Sequence, residues 1–222
     1  MEPHLSAQGL VKSYRNTPAL RGVDFAARQG EVVAITGPSG SGKSTLLHCL
    51  AGIEVPDAGS VALGGRRIDD AGEGRRSRLR RSRFGVLFQF GHLVAELTAA
   101  ENVAMPLLLS GIRRRSAIAT ATDWLARFDV AELAGRRPGE LSGGQAQRVA
   151  AARSLVTRPD VLFADEPTGA LDSLAGEQVM IQVTRAVREV GTTVLLVTHD
   201  ARIAAYADRE VVVRDGLIEA GR

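Results

Sequence analysis

The sequence predicts an α/β protein with a ligand site at the carboxyl ends of buried strands. Three observations carry that prediction. Glu31–Thr36 is a short, mostly apolar, β-branched run; a glycine-rich loop follows it, then Leu46, Leu47, Leu50 and Ala51 at helical spacing. Similar runs recur at Phe84–Phe88, Val161–Ala164 and Thr192–Val197, the last two separated by a helical stretch from about Ser173 to Val190. These runs end in polar residues, Gln89, Asp165-Glu166 and His199, where open α/β sheets bind ligands.

The loop itself, Gly37-Pro38-Ser39-Gly40-Ser41-Gly42-Lys43-Ser44-Thr45, fits G-x-x-x-x-G-K-S, the phosphate-binding P-loop pattern. Its glycines let the backbone bend tightly, so that successive amide N–H groups turn inward and cradle a polyphosphate. The helix it opens adds a dipole that favours the anion. Lys43 is expected to reach the β- and γ-phosphates, and the Ser44 hydroxyl to ligate Mg²⁺. A flexible Gly/Ser linker has the same composition. The strand before the loop, the helix after it and Gly52 at the expected helix stop are the context that the motif needs instead.

A chain of 222 residues is enough for one large or two small domains with a sizeable core. The net charge of +3 is too weak to imply nucleic acid. A lone cysteine, Cys49, excludes an internal disulfide framework and fits a reducing compartment; on the helix after the loop it reads as a core thiol. The longest apolar run, Val103–Leu109, falls far short of the ~20 residues of a membrane span and contains Pro106. Met1-Glu2-Pro3-His4 lacks the basic and apolar regions of a signal peptide. A cytosolic chain is expected, with any membrane role exerted through a partner.

Leu5–Val11 and Ala19–Ala27 read as strands, with Arg15–Pro18 as a turn or loop between them. Tyr14, just before that turn, is either a surface tyrosine covering a strand end or an aromatic face for a purine ring. Ser60–Ile68 reads as a hairpin around Gly64-Gly65. Arg75–Arg83, RRSRLRRSR, could bind phosphate backbones, but no aromatics are interleaved, and a solvated helix face is the better reading. Gln89 is either a plain loop residue or a ligand, its amide oxygen suited to a hard cation or its carboxamide to a water. Thr98-Ala99-Ala100-Glu101 is a capping-box pattern, and a second helix runs from about Arg114 to Phe128. This helical insert is expected to present a docking surface.

Leu141-Ser142-Gly143-Gly144-Gln145 follows, with Ser142 as an N-cap and Ala146–Leu155 as a helix. Two glycines are poor helix formers, and they make sense if a phosphate approaches that backbone closely. Asp165 and Glu166 are either solvated loop acids or a divided pair. In the second reading Asp165 holds Mg²⁺, directly or through water, and Glu166 polarises the attacking water. A last hairpin turns at Asp215-Gly216.

Taken together these residues resemble the nucleotide-binding subunit of ABC transporters over nearly the whole chain. The P-loop Gly37–Thr45, a Q-loop glutamine at Gln89, the signature Leu141–Gln145, the Mg²⁺-site strand ending in Asp165-Glu166, a D-loop Gly169–Asp172 and a switch histidine at His199 occur in the family's order. The resemblance implies an ABC-type P-loop NTPase. It would have a RecA-like α/β core, an N-terminal antiparallel β subdomain and an all-helical signature subdomain. Residues 1–222 would form one ATP-binding domain, with the helical insert at about 92–157. ATP would contact Tyr14, Gly37, Pro38, Ser39, Gly40, Ser41, Gly42, Lys43, Ser44 and Thr45, and Mg²⁺ would take Ser44, Gln89 and Asp165. Glu166, His199, Lys43 and Gln89 would be catalytic. Leu141, Ser142, Gly143, Gly144 and Gln145 would reach the nucleotide of a second copy in a head-to-tail homodimer, beside Asp172 of the D-loop. The implied partner is a separate integral membrane permease, in two copies, which holds the chain on the inner face of the cell membrane. No nucleic acid is expected.

Phe88-Gln89, Glu101–Leu108 and Asp165–Ser173 look like the macrolide-export and lipoprotein-release branch, which includes related antimicrobial-peptide exporters. Ala146, where a glutamine is usual, and Phe163, where leucine is frequent, depart from it away from the catalytic positions. That branch implies export of a lipophilic or peptide-like substrate, or mechanical work on the outer side. One alternative is a cell-division ATPase that regulates wall hydrolysis through a permease-like partner. The other is a soluble ATPase acting on DNA or ribosomes. Against the latter, about a hundred residues lie between Thr45 and Leu141 without sustained heptads, and there is one P-loop.

Overall fold

Strands β1 (Leu5–Tyr14) and β2 (Thr17–Ala27) form an antiparallel hairpin, paired from Leu5↔Ala27 to Tyr14↔Thr17. The computed structural model describes residues 3–219. Met1 and Glu2, part of the stretch read for a signal peptide, lie outside the described residues. The residues group into two units, one holding those up to Arg80 together with those from Thr193, the other Arg81–Thr192.

In the first unit the β1–β2 turn has two residues, Arg15 and Asn16, rather than the expected four. Pro18 stands opposite Ser13 inside the ladder. It is tolerated because β2 ends the sheet, where a missing N–H breaks no ladder bond. On its other side β1 pairs antiparallel with β4 (Ala58–Leu63), followed by β5 (Arg66–Arg67). Leu5, Ala7, Leu10, Val23, Phe25 and Val61 are buried from this sheet.

Strand β3 (Val32–Thr36) pairs parallel with both β8 (Thr193–Val197) and β9 (Arg209–Arg214), and β10 (Leu217–Ile218) returns antiparallel on β9. β8 and the first four residues of β3 are buried, the unbroken apolar signature of strands covered on both faces. Parallel pairing puts the carboxyl ends of β3, β8 and β9 at one edge. Helix α1 (Lys43–Leu50) starts there. Its Cys49 is buried, and burial pushes the thiol up to about 12, as a core residue requires.

The arginine-rich stretch is helix α2 (Glu73–Ser82), with no buried residue. Two of its arginines turn back on the protein: Arg76 donates to the Ala71 carbonyl at 3.0 Å and Arg80 to the Gly52 carbonyl at 2.5 Å. Both also pair with Glu73, whose carboxyl the guanidiniums of Arg80 and Arg76 hold down at about 2.

In the second unit β6 (Phe84–Phe88) and β7 (Val161–Asp165) run parallel, from Phe84↔Val161 to Phe88↔Asp165. Phe84 and Phe163 meet edge to face at 5.1 Å. Helices α3 (Ala99–Leu109), α4 (Arg114–Arg127), α5 (Gly143–Leu155) and α6 (Ser173–Val190) complete it. The expected capping box forms at α3, where Thr98 and Glu101 satisfy each other's backbone N–H. Buried Asn102 ties the preceding loop to α3 through the Val94 N–H and carbonyl and the Leu97 carbonyl. α5 lies so close to β6 that a Cβ on Gly85 would fall 2.2 Å from the Ser154 carbonyl oxygen. α7 (Ala201–Ala204), in the first unit, is a single turn capped by Asp200. Among the described residues no helix is long and apolar enough to cross a membrane.

Candidate nucleotide-binding site

The P-loop leaves β3 and enters α1 under backbone constraints from elsewhere in its unit. Gly37 has φ +133°, and a Cβ there would lie 2.0 Å from the Val213 carbonyl oxygen. Gly42 has φ +105°, and a Cβ there would lie 2.4 Å from the carbonyl oxygen of Ala19 in β2. The Gly216 N–H, in the β9–β10 turn, donates to the Ser41 carbonyl at 2.9 Å. Lys43 folds back across the loop, its ammonium donating to the carbonyls of Gly37 at 3.0 Å and Pro38 at 2.8 Å.

These features fit a polyphosphate. The N–H groups of Lys43, Ser44 and Thr45 lie in the first turn of α1, where a helix supplies no acceptor of its own. That turn carries no acidic side chain. The Ser41 hydroxyl is buried without a hydrogen-bond partner. Among the described residues no cluster of three or more His, Cys, Asp or Glu is placed to hold a metal by itself. Mg²⁺ bound through Ser44 would therefore share its sphere with phosphate oxygens and water, its ordinary habit in nucleotide sites.

Tyr14 stands at the end of β1, 44% exposed, and exchanges side-chain hydrogen bonds with Thr45 and Glu54. Burial, then its Glu54 contacts, raise its hydroxyl pKa, although the Thr45 bond acts the other way. The Lys12 ammonium lies 5.9 Å from the ring centroid and is itself fastened to the Val55 carbonyl and Asp57. The structure thus brings Tyr14 to the P-loop helix through Thr45, with Lys12 and Glu54, which the sequence reading did not name, beside it. His199 is exposed just beyond β8, and the Thr198 N–H before it donates to the Ile35 carbonyl, two residues before Gly37.

The remaining candidates belong to the second unit. Because Phe88 faces Asp165 in register, Gln89 and Glu166 leave neighbouring strand ends. Glu166 has φ +48°, a strained left-handed conformation that the sequence did not signal. The Gly169 N–H closes a turn on the Glu166 carbonyl at 3.0 Å. The Gln89 carboxamide lies against this turn, its Nε2 2.9 Å from where a Cβ on Gly169 would be.

Helix α5 starts at Gly143, three residues earlier than propensity suggests. Ser142 caps it, accepting from the Gln145 N–H at 3.3 Å, while the Gln145 side chain accepts from the Ser142 N–H at 2.9 Å. The glycines also have an intramolecular reason. A Cβ on Gly143 would sit 3.4 Å from Leu171 Cδ2, and one on Gly144 3.3 Å from Ala175 Cβ. Beside them a hollow of about 350 Å³ is lined by Ser142, Gly144, Arg148, Leu171, Asp172 and Gln178. Leu141 enters this start as the last residue before the cap, and Asp172 caps α6 by accepting from the Ala175 N–H at 2.9 Å.

Residues 20–169 match the ABC transporter family. The chain is 44% identical over its whole length to the lipoprotein-releasing system ATP-binding protein LolD 2 of Caulobacter vibrioides, covering 99% of that protein. It is 41% identical to the LolD protein of Geobacter metallireducens, over 99% of this chain and 100% of the relative. Among solved structures it resembles the ATP-binding cassette MJ0796, in a dimeric post-hydrolysis state bound to ADP and Pi, with a TM-score of 0.90 and 35% identity over 97% of each chain. The chain belongs to the ABC transporter family, as an ATPase subunit with the ABC-type ATPase fold.

Proposed function

We propose that this chain is the ATPase of a lipoprotein-releasing or similar exporter, in which two copies pair head to tail and drive a separate membrane permease. The observation that carries the reading is the combination, in one chain, of an anion cradle centred on Lys43 with a separately capped glycine helix start at Ser142. A cradle of this kind serves its own nucleotide, whereas the helix start has amides to offer to a partner's.

In this reading residues 1–222 act as a single ATP-binding domain. The amides of the P-loop and the Lys43 ammonium neutralise the β- and γ-phosphates, and the Tyr14 ring stacks on adenine. Ser44, the Gln89 amide oxygen and Asp165, the last directly or through water, would hold Mg²⁺, which would supply positive charge against the phosphates. Glu166 polarises the attacking water and takes its proton, and His199 steadies the γ-phosphate. The partner's Leu141–Gln145 segment and Asp172 close over the nucleotide. Closure with ATP and opening after hydrolysis move the permease, which holds the chain at the cytoplasmic face of the membrane.

The substrate class rests on the relatives, which are named as lipoprotein-releasing proteins over essentially the whole chain. The decisive experiment co-purifies the chain with its permease and places both in liposomes carrying a lipid-anchored protein. ATP-dependent release of that protein is expected. ATP hydrolysis without release would overturn the substrate class and leave the ATPase standing.

A further inference from the structure

Gln147 lies in the body of α5, 2% exposed. Its side-chain amide donates twice, to the Phe88 carbonyl at 2.9 Å and to the Pro167 carbonyl at 2.7 Å. Phe88 is the last residue of β6, immediately before Gln89, and Pro167 immediately follows Glu166. One planar amide therefore spans the ends of two neighbouring strands, each end carrying a candidate catalytic side chain.

The neighbourhood is built around this bridge. A Cβ on Gly91, which has φ +68°, would meet Gln147 Oε1 at 3.2 Å and Ala150 Cβ at 3.0 Å. Further along α5, Arg153 donates to the carbonyls of Gly91 at 2.5 Å and His92 at 2.9 Å. The same helix thus grips the segment that carries Gln89 at two levels. Five residues towards its start, α5 ends in the Ser142 cap.

We infer that Gln147 is a positioning residue for hydrolysis, holding the Gln89 end of β6 in register with the Glu166–Gly169 turn. A shift of α5 at its Ser142 end is then passed to both Gln89 and Glu166, because both of the amide's hydrogens are committed. This inference rests on the proposed roles of Glu166 and the signature segment. An apolar residue of equal length would fill the space but leave the buried Pro167 carbonyl without this donor and the part-buried Phe88 carbonyl held by the Gly91 N–H, at 3.1 Å. The strand ends would drift apart, and a displacement on the order of 1 Å at a reacting group is enough to slow chemistry by about a hundredfold.

The test is Gln147→Met, which keeps length and volume and removes both donors. With the permease complex, ATP affinity is expected to stay within about twofold while kcat falls about tenfold or more. In the Glu166→Gln background the same change should cost nothing further, since both act on one step. Unchanged kcat, or a full additional loss in that background, would overturn the inference. Undiminished turnover in Glu166→Gln alone would refute the Glu166 reading and the inference with it, a separate result. Gly169→Ala guards against a folding defect. Gly169 is exposed and outside the left-handed region, yet the new methyl would displace the Gln89 amide, whose Nε2 lies 2.9 Å from that position. The same fall in kcat at constant affinity is expected, and unchanged kcat in that variant would count equally against the register.

Discussion

Lys43 donates its ammonium to the Pro38 carbonyl at 2.8 Å, within the loop that its own helix terminates. The side chain assigned to the β- and γ-phosphates is thus braced over the amides rather than free in solvent. Lys43→Ala removes charge and brace together. ATP affinity should fall about ten- to a hundredfold, the scale of a charged hydrogen bond, as measured by calorimetry. Retention of tight binding would count against the phosphate reading.

Glu166→Gln preserves shape and hydrogen bonding and removes the charge. Hydrolysis should drop by about 10²–10⁴ while ATP still binds. The ATP-bound dimer should then accumulate, visible by size-exclusion chromatography with ATP and Mg²⁺. Near-normal turnover would rule Glu166 out as the base.

Gly143→Asp separates the chain's own fold from its partner. The new Cβ would make ordinary contact with Leu171, so the monomer should fold and bind ATP at its P-loop. ATP-driven dimerisation should fail, because a carboxylate would meet the partner's γ-phosphate. Mixing with Lys43→Ala subunits should restore one working site per heterodimer. Undiminished, first-order hydrolysis by dilute Gly143→Asp protein would place catalysis within one chain.

Glu31 yields a pH test. Burial alone would raise its carboxyl, but the hydrogen bond from Arg209 and the backbone N–H of Arg28 outweigh it and hold it below its ordinary 4.5. A carboxyl lowered in the folded state stabilises fully above the unfolded value, and the contribution is lost as pH falls through the folded one. Glu31→Gln should therefore lower the melting temperature by about 2–4 °C at pH 7, the shift of one kcal/mol in a chain of this size. The difference should close below pH 4.5. An equal difference at both pH values would mean that the charge does not matter.

Most elements were legible where local pattern decides them. β6 at Phe84–Phe88 and α6 at Ser173–Val190 follow the sequence boundaries, and the Thr98 and Ser142 caps form as their side chains suggest. The limits of local reading show at α5, where propensity excludes Gly143 and Gly144 from the helix. The Ser142 cap and the close approach of Leu171 and Ala175 bring them in. They show again at Pro18, which reads as a turn residue but pairs at a sheet edge. The left-handed backbone of Glu166 and the two acceptors of Gln147 had no local signal at all. One is a property of backbone torsion, the other of chain segments far apart in sequence.

The Ala19 carbonyl lies against both Gly42 and Gly216, where a Cβ would come within 2.4 Å and 2.8 Å of it. Residues 19, 42 and 216, far apart in the sequence, therefore meet at the P-loop. The consequence is one of timing. During synthesis the motif is made before the β9–β10 hairpin, whose brace arrives on the order of tens of seconds later. Until that hairpin is made, the motif lacks the Gly216 N–H on the Ser41 carbonyl and the Val213 carbonyl beside Gly37, and of these outside contacts keeps the Ala19 side alone.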